Sequence, residues 1–175
     1  MKLIAFIRTA YGGFVNVCNW VFQPLILLAI RGWWGYNLML AGWGKLTNLG
    51  NITKFFEQLA IPLPGVNAFM AGAVECFGGA LLMIGLASRA ASLAITFTMV
   101  VAYMAADKAK WFALIHWQWG WDPEAEASID PVTIFSQGAP YAFLLAALVV
   151  LAAGPGVLSL DYLLGRKFGK KKEEA

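Results

Sequence analysis

The stretch from Phe22 to Gly44 holds a single charged residue, Arg31. At about 1.5 Å per helical residue it is long enough to cross a bilayer core roughly 30 Å thick. Backbone in lipid must satisfy its own N–H and C=O groups, so such a crossing is helical. Pro24 falls in the first turn, where a missing N–H costs no intrahelical bond. Further apolar stretches lie at about 67–87, 90–106 and 139–153. Only Ser88-Arg89 separates the second from the third, which makes these two antiparallel neighbours. Gly154-Pro155-Gly156 either ends or kinks the fourth.

Four crossings nearly exhaust 175 residues, of which 60% are hydrophobic and 13% charged, so the chain reads as one all-α domain over 1–175, a membrane four-helix bundle. Residues Met1 to Trp20 are interrupted by Lys2, Arg8, Asn16 and Asn19 and read as an interfacial segment, with no cleavable leader pattern. A polar loop is expected around Asn48, Asn51, Lys54 and Glu57, and a turn at Ile61 to Gly65. Lys110 to Gln137 reads as an extramembrane loop, with Trp111, Trp117, Trp119 and Trp121 anchoring it at the interface. The basic tail, residues 166–175, with its run Lys170 to Lys172, reads as solvated and suits anionic lipid headgroups.

Four crossings place Lys2, Arg8, Arg89, Arg166, Lys167 and the tail lysines on one side, and only Lys45, Lys54, Lys108 and Lys110 on the other. The positive-inside rule then puts both termini in the cytoplasm of a bacterial inner membrane. A net charge of +3 concentrated in the tail argues against nucleic-acid binding. Cys18 and Cys76 form no CxxC pair and His116 is the only histidine, so no metal site, dithiol centre or bis-histidine haem is read. No GxGxxG fingerprint or serine–histidine arrangement appears either.

The charges within the spans carry the functional information. Arg31 and Glu75 each cost at least ~2.5 kcal/mol near a bilayer centre, so they face protein rather than lipid. Arg31, Gly35, Leu38, Gly42 and Lys45 recur on one face of the first span. Glu75, Gly79, Leu82, Leu86 and Arg89 do so on the second, and Ser92, Thr96, Met99, Tyr103 and Asp107 on the third. Antiparallel packing of the first two spans puts Arg31 and Arg89 at one end, and Lys45 with Glu75 at the other. Two readings follow. In one, an Arg31–Glu75 ion pair fixes helix register while Lys45 and Arg89 snorkel. In the other, Arg31, Lys45, Glu75 and Arg89 shape a polar pocket for a quinone carbonyl or a small oxyanion, with Tyr103 and Asp107 lining it. No residue is singled out as catalytic. Trp33, Trp34 and Trp43 read as lipid anchors or core, with stacking on a quinone ring as the alternative. Cys76 reads as an inert small hydrophobe.

The same residues carry a family resemblance. Arg31 with Gly42-Trp43-Gly44-Lys45-Leu46, Phe55-Phe56 with Ile61-Pro62, Glu75 through Gly78-Gly79 to Gly85-Leu86 and Ser88-Arg89, and Gly154-Pro155-Gly156 with Leu158-Ser159-Leu160-Asp161 together resemble the DoxX family of small bacterial membrane proteins. The resemblance spans about Ala29 to Leu164 and implies a four-helix membrane bundle. Founding members are linked to a thiosulfate:quinone oxidoreductase and to a terminal quinol oxidase. It therefore implies an accessory subunit of a quinone-linked oxidoreductase, working with a partner redox subunit or as a homo-oligomer. The alternative is a non-catalytic membrane scaffold or small-solute carrier, since fold transfers more securely than function.

Overall fold

The computed structural model describes residues 2–117, 120–122 and 127–173. The fold is all-α and of membrane type. Among the described residues, three helical runs are long and apolar enough to cross a bilayer: Tyr11–Thr47, Pro64–Ile84 and Ser88–Ala106.

The first run is longer than a single crossing requires. Helix α1 (Lys2–Val17) passes through a wider π-type turn at Cys18–Phe22 into α2 (Gln23–Thr47) without a break. Pro24 sits just after that turn, where the widened backbone absorbs its missing donor. The N-terminal segment is thus continuous with the first span rather than separate from it. The expected polar loop at Asn48 to Glu57 is instead a helix, α3 (Leu49–Gln58). Ile52, Phe55, Phe56 and Leu59 recur at three- and four-residue intervals, and that apolar stripe gives the helix a face to lay against its neighbour.

The turn at Ile61 to Gly65 leads into α4 (Pro64–Ile84), with Pro64 in its first turn. Helix α4 ends at Gly85, whose φ of +74° is left-handed backbone that costs glycine least. Helix α5 (Ser88–Ala106) follows at once, and the two pack as adjacent antiparallel helices. Helices α2 and α4 form the closest seam in the fold. A Cβ on Gly79 would lie 2.6 Å from Met39 N, and one on Gly42 would lie 2.7 Å from Gly72 O, so only glycine lets these backbones approach. Arg31, Gly35, Leu38 and Gly42 are all buried on α2, and Gly72, Glu75, Gly79 and Leu82 on α4, as their spacing required.

Between α5 and the last apolar helix the chain is more structured than an interfacial loop. It forms α6 (Lys108–Ile115), a short antiparallel pair of β1 (Gly120–Asp122) and β2 (Ala127–Ile129), and α7 (Pro131–Ser136), whose N-terminus is capped by the Asp130 carboxylate. Trp111 packs inward, 6.1 Å from the Tyr103 ring and 6.2 Å from Phe135. Trp117 is exposed, Trp121 lies in β1, and the role read for Trp119 falls outside the described residues.

Helix α8 (Tyr141–Ala153) is apolar but shorter than the other three, and Gly154 ends it rather than kinking it. Beyond it α9 (Leu160–Glu173) carries the basic tail as far as residue 173. The core lies among α2, α4, α5 and α8, with Leu38, Leu82, Ile95, Met99, Tyr103, Ala147 and Val150 buried together.

Candidate functional site

The four charged residues read from the sequence do not converge. The antiparallel α2–α4 seam sorts them to opposite ends, two and two, and each end has its own chemistry.

At one end, Lys45 in the last turns of α2 faces Glu75 at the middle of α4, and the Lys45 ammonium donates to Glu75 Oε1. The expected Arg31–Glu75 pair is therefore replaced by Lys45–Glu75. The reason is register: with Gly42 against Gly72 and Gly35 against Gly79, Lys45 falls beside Glu75 while Arg31 falls beside Gly85. The Glu75 side chain is 4% exposed and Lys45 32%, so the acid is held inside and the base spans from it to the surface. Glu75 Oε2 is buried and has no hydrogen-bond partner among the described residues. Such an atom is normally paired, because an unmet acceptor in apolar surroundings carries its full desolvation cost.

Lys45 and Glu75 also line a groove of about 570 Å³ between α3, α4 and α5. Its walls are apolar: Phe55 and Phe56 come from α3, Met70 and Val74 from α4, Phe97 and Val101 from α5. The small side chains Ala94, Ala102 and Ala105 also line it on the α5 side and leave it room. Phe97 is 71% exposed and Met70 53%, so the rim is itself apolar and the mouth opens onto a surface suited to lipid. An apolar cleft of this size with a few convergent polar groups is the usual form of a small-molecule site.

Tyr103 and Asp107 are not among the groove-lining residues. Tyr103 is fully buried in the core on the α8 side, stacked on Phe135 at 4.4 Å and donating to Phe135 O at 3.0 Å. Asp107 pairs with Lys110 at 3.2 Å. The tryptophans of α2 are elsewhere as well: Trp33 and Trp43 are exposed, and Trp34 packs edge-on against Phe143 at 5.6 Å. The aromatic surfaces of the groove come instead from Phe55, Phe56 and Phe97, the first two on α3, the helix that stands where a polar loop is expected.

At the other end, Arg31 is 1% exposed and Nη2 donates to Leu158 O at 2.6 Å. Its Nε and Nη1 have no partner among the described residues. Arg89 is exposed, its guanidinium lying against Gly154. Asp161, a residue not singled out as part of the charge network, completes this end. Its carboxylate accepts from Ala87 N at 2.7 Å and Ser88 N at 2.8 Å, while its own N–H donates to Gly85 O at 2.9 Å. It thereby caps α5 from a distant part of the chain, where a negative charge complements the helix N-terminus. Burial works against ionisation of Asp161, but the Ser88 and Ala87 N–H groups and the nearby Arg31 charge outweigh it and hold the carboxyl below its ordinary range. This end is a clasp that fastens the segment after α8 onto the α4–α5 turn.

Among the described residues, no group of three or more His, Cys, Asp or Glu side chains is placed to hold a metal ion. Cys76 is buried and unpaired at the α2–α4 seam. Comparison with known protein families matches residues 26–108 to DoxX. The match takes in Arg31, Lys45, Glu75 and Arg89 and ends before the Gly154 to Asp161 motif. No curated protein and no solved structure matches the chain.

Proposed function

Since the chain belongs to the DoxX family of membrane proteins, we propose that it is a multi-pass subunit of a quinone-linked membrane oxidoreductase, with the α3–α4–α5 groove as its quinone site. The observation that carries this reading is the Lys45–Glu75 pair on the wall of an otherwise apolar groove with a lipid-suited mouth. A quinone combines a flat ring with polar oxygens and an apolar tail, and it reaches proteins from within the bilayer. Phe55, Phe56 and Phe97 offer surfaces for the ring. The Lys45 ammonium has donors beyond the one given to Glu75, and these suit a quinone oxygen. The unmet Glu75 Oε2 adds an acceptor that the hydroxyl of the reduced form can meet. Quinone, when bound, would supply the redox chemistry, and the chain's own residues bind and orient it. Electrons would pass to or from a redox cofactor of a partner subunit.

In this reading α8, with its flanking segments, completes a fourth crossing. Both termini then lie in the cytoplasm, on the side carrying Arg89 and the tail cations.

The clasp at Arg31 supports a different role for that end. Its bond to Leu158 O and its contacts with Gly85 and Ser159 fasten the segment after α8 to the end of α4, as a packing device would. Scaffolding is thus the reading for Arg31 and Arg89, and ligand binding for Lys45 and Glu75.

Gentle purification followed by mass spectrometry of extracted small molecules tests the proposal. Stoichiometric quinone, in its oxidised or reduced form, in the wild type and in Arg31→Gln, lost in Ala102→Trp, is the expected pattern. Bulk lipid alone in every version contradicts the quinone site.

A further inference from the structure

Lys45 and Glu75 form the polar wall of the groove, and between them they leave hydrogen-bonding functions of opposite kind unmet among the described residues. Lys45 is 32% exposed in its side chain, and its ammonium spends one donor on Glu75 Oε1, leaving donors to give. Glu75 is 3% exposed, and its Oε2 is an acceptor with no partner among the described residues. A carboxylate paired with an ammonium is acceptor-only, so Oε2 can be met only by a donor. None of the other residues lining the groove supplies one to it. Asn67, the groove's amide side chain, already donates to Pro62 O at 2.6 Å. The Lys45 side chain is long, flexible and part-exposed, so a ligand that draws its ammonium aside gains access to the carboxylate behind it.

A carbonyl and a hydroxyl differ at such a wall. A carbonyl accepts from Lys45 and leaves Oε2 unmet, with lone pairs facing lone pairs. A hydroxyl accepts from Lys45 and donates to Oε2, meeting both functions with one group. Sites with a buried polar atom discriminate strongly between ligands that satisfy it and ligands that do not, because the failing ligand leaves the desolvation cost unrelieved.

Resting on the quinone-site reading above, we infer that the groove selects the hydroxyl-bearing form of its lipid-soluble ligand over the carbonyl form, with Glu75 and Lys45 as the specificity-determining pair. The ligand class is a membrane-partitioned amphiphile carrying a hydroxyl on an aromatic ring. Glu75 accepts the hydroxyl proton in a hydrogen bond, and Lys45 donates to the same oxygen.

The test uses the intact chain in detergent micelles, with native mass spectrometry counting ligands per chain and no reductant present. The protein is offered equal loads of 4-decylphenol and 4-decylanisole, in which a methyl group replaces the hydroxyl proton, and separately 4-decylphenol against decyl-1,4-benzoquinone and against decanol. The phenol is expected to outcompete both the anisole and the benzoquinone by on the order of tenfold, the ratio that one unmet buried acceptor implies. In Glu75→Gln, whose amide offers a donor as well as an acceptor, the preference over the anisole should fall to within about twofold. The wild-type competition stands by itself if that variant does not fold.

Equal binding of phenol and anisole, or tighter binding of the benzoquinone, overturns the hydroxyl selection and leaves the quinone site intact. Decanol binding as well as the phenol keeps the hydroxyl selection but moves the occupant to an aliphatic lipid alcohol, which contradicts the quinone reading alone. Binding of none of the four overturns both.

Discussion

Lys45 reaches across the α2–α4 seam to Glu75 and meets one of its two carboxylate oxygens, the other having no partner among the described residues. The acid is nearly enclosed while the base is part-exposed, so the two ends of the pair respond differently to mutation. Removing the lysine strands a charge inside the bundle, whereas removing both groups does not.

Lys45→Met should therefore destabilise the protein by about 3–5 kcal/mol, the usual cost of leaving a buried ion without its partner. Lys45→Met combined with Glu75→Leu should recover most of that loss. Thermal unfolding of the two single variants and the double variant in one detergent gives the cycle. Additive losses would show that the pair does not act as a unit.

The α2–α4 seam depends on missing side chains. Gly79→Ala places a methyl group against Met39 N and Gly35 O, both backbone atoms that cannot turn aside. A loss of about 1–3 kcal/mol is expected, as for an overpacked core. Gly44→Ala is the control, because nothing lies within 4 Å of a Cβ there and stability should be unchanged or slightly raised. Equal effects at the two sites, read by unfolding temperature, would mean that the seam is not the tight contact described.

Much of this seam was legible in the sequence. Arg31, Gly35, Leu38 and Gly42 share a helix face by spacing alone, and so do Glu75, Gly79 and Leu82; an intramembrane charge fixes which face turns inward. What spacing does not give is register between two helices. A slide of one α2 turn relative to α4 exchanges Lys45 for an earlier residue as the partner of Glu75, and that slide is decided by backbone contact between glycines rather than by charge. The groove was hidden for another reason. Asn48, Asn51, Lys54 and Glu57 drew attention to polarity, although Ile52, Phe55, Phe56 and Leu59 already traced the apolar stripe of α3. Asp161 is distant in sequence from the helix it caps, and no local pattern announces such a contact.

The clasp makes its own prediction. Arg31→Met removes the bond to Leu158 O and the charge beside Asp161. The Asp161 amide, which donates to Gly85 O, should then exchange with solvent on the order of tenfold faster, as loss of one supporting hydrogen bond implies. Hydrogen exchange read by mass spectrometry over the segment from Gly154 to Asp161 checks it. Unchanged protection would remove Arg31 from the clasp.

Asp161 gives the clasp a pH dependence of definite sign. Its folded-state carboxyl lies below the ordinary value of 3.8, so its stabilising contribution is complete above that value and is lost as pH falls through the lowered one. The stability difference between wild type and Asp161→Asn should be constant from neutral pH down to about 5 and shrink below about 4. Unfolding temperatures of both proteins across that range measure it. A difference that widened on acidification would have the wrong sign for a depressed carboxyl.

The quinone site is tested most directly by filling it. Ala102 lines the groove on α5 with a small side chain, and Ala102→Trp occupies the space without touching Lys45 or Glu75 by substitution. Extracted quinone per chain is then compared between wild type and this variant, both shown folded by their unfolding transitions. Near-stoichiometric quinone in the wild type and its loss in Ala102→Trp is the result predicted. Equal quinone in both, or none in the wild type, would contradict a quinone site between α3, α4 and α5.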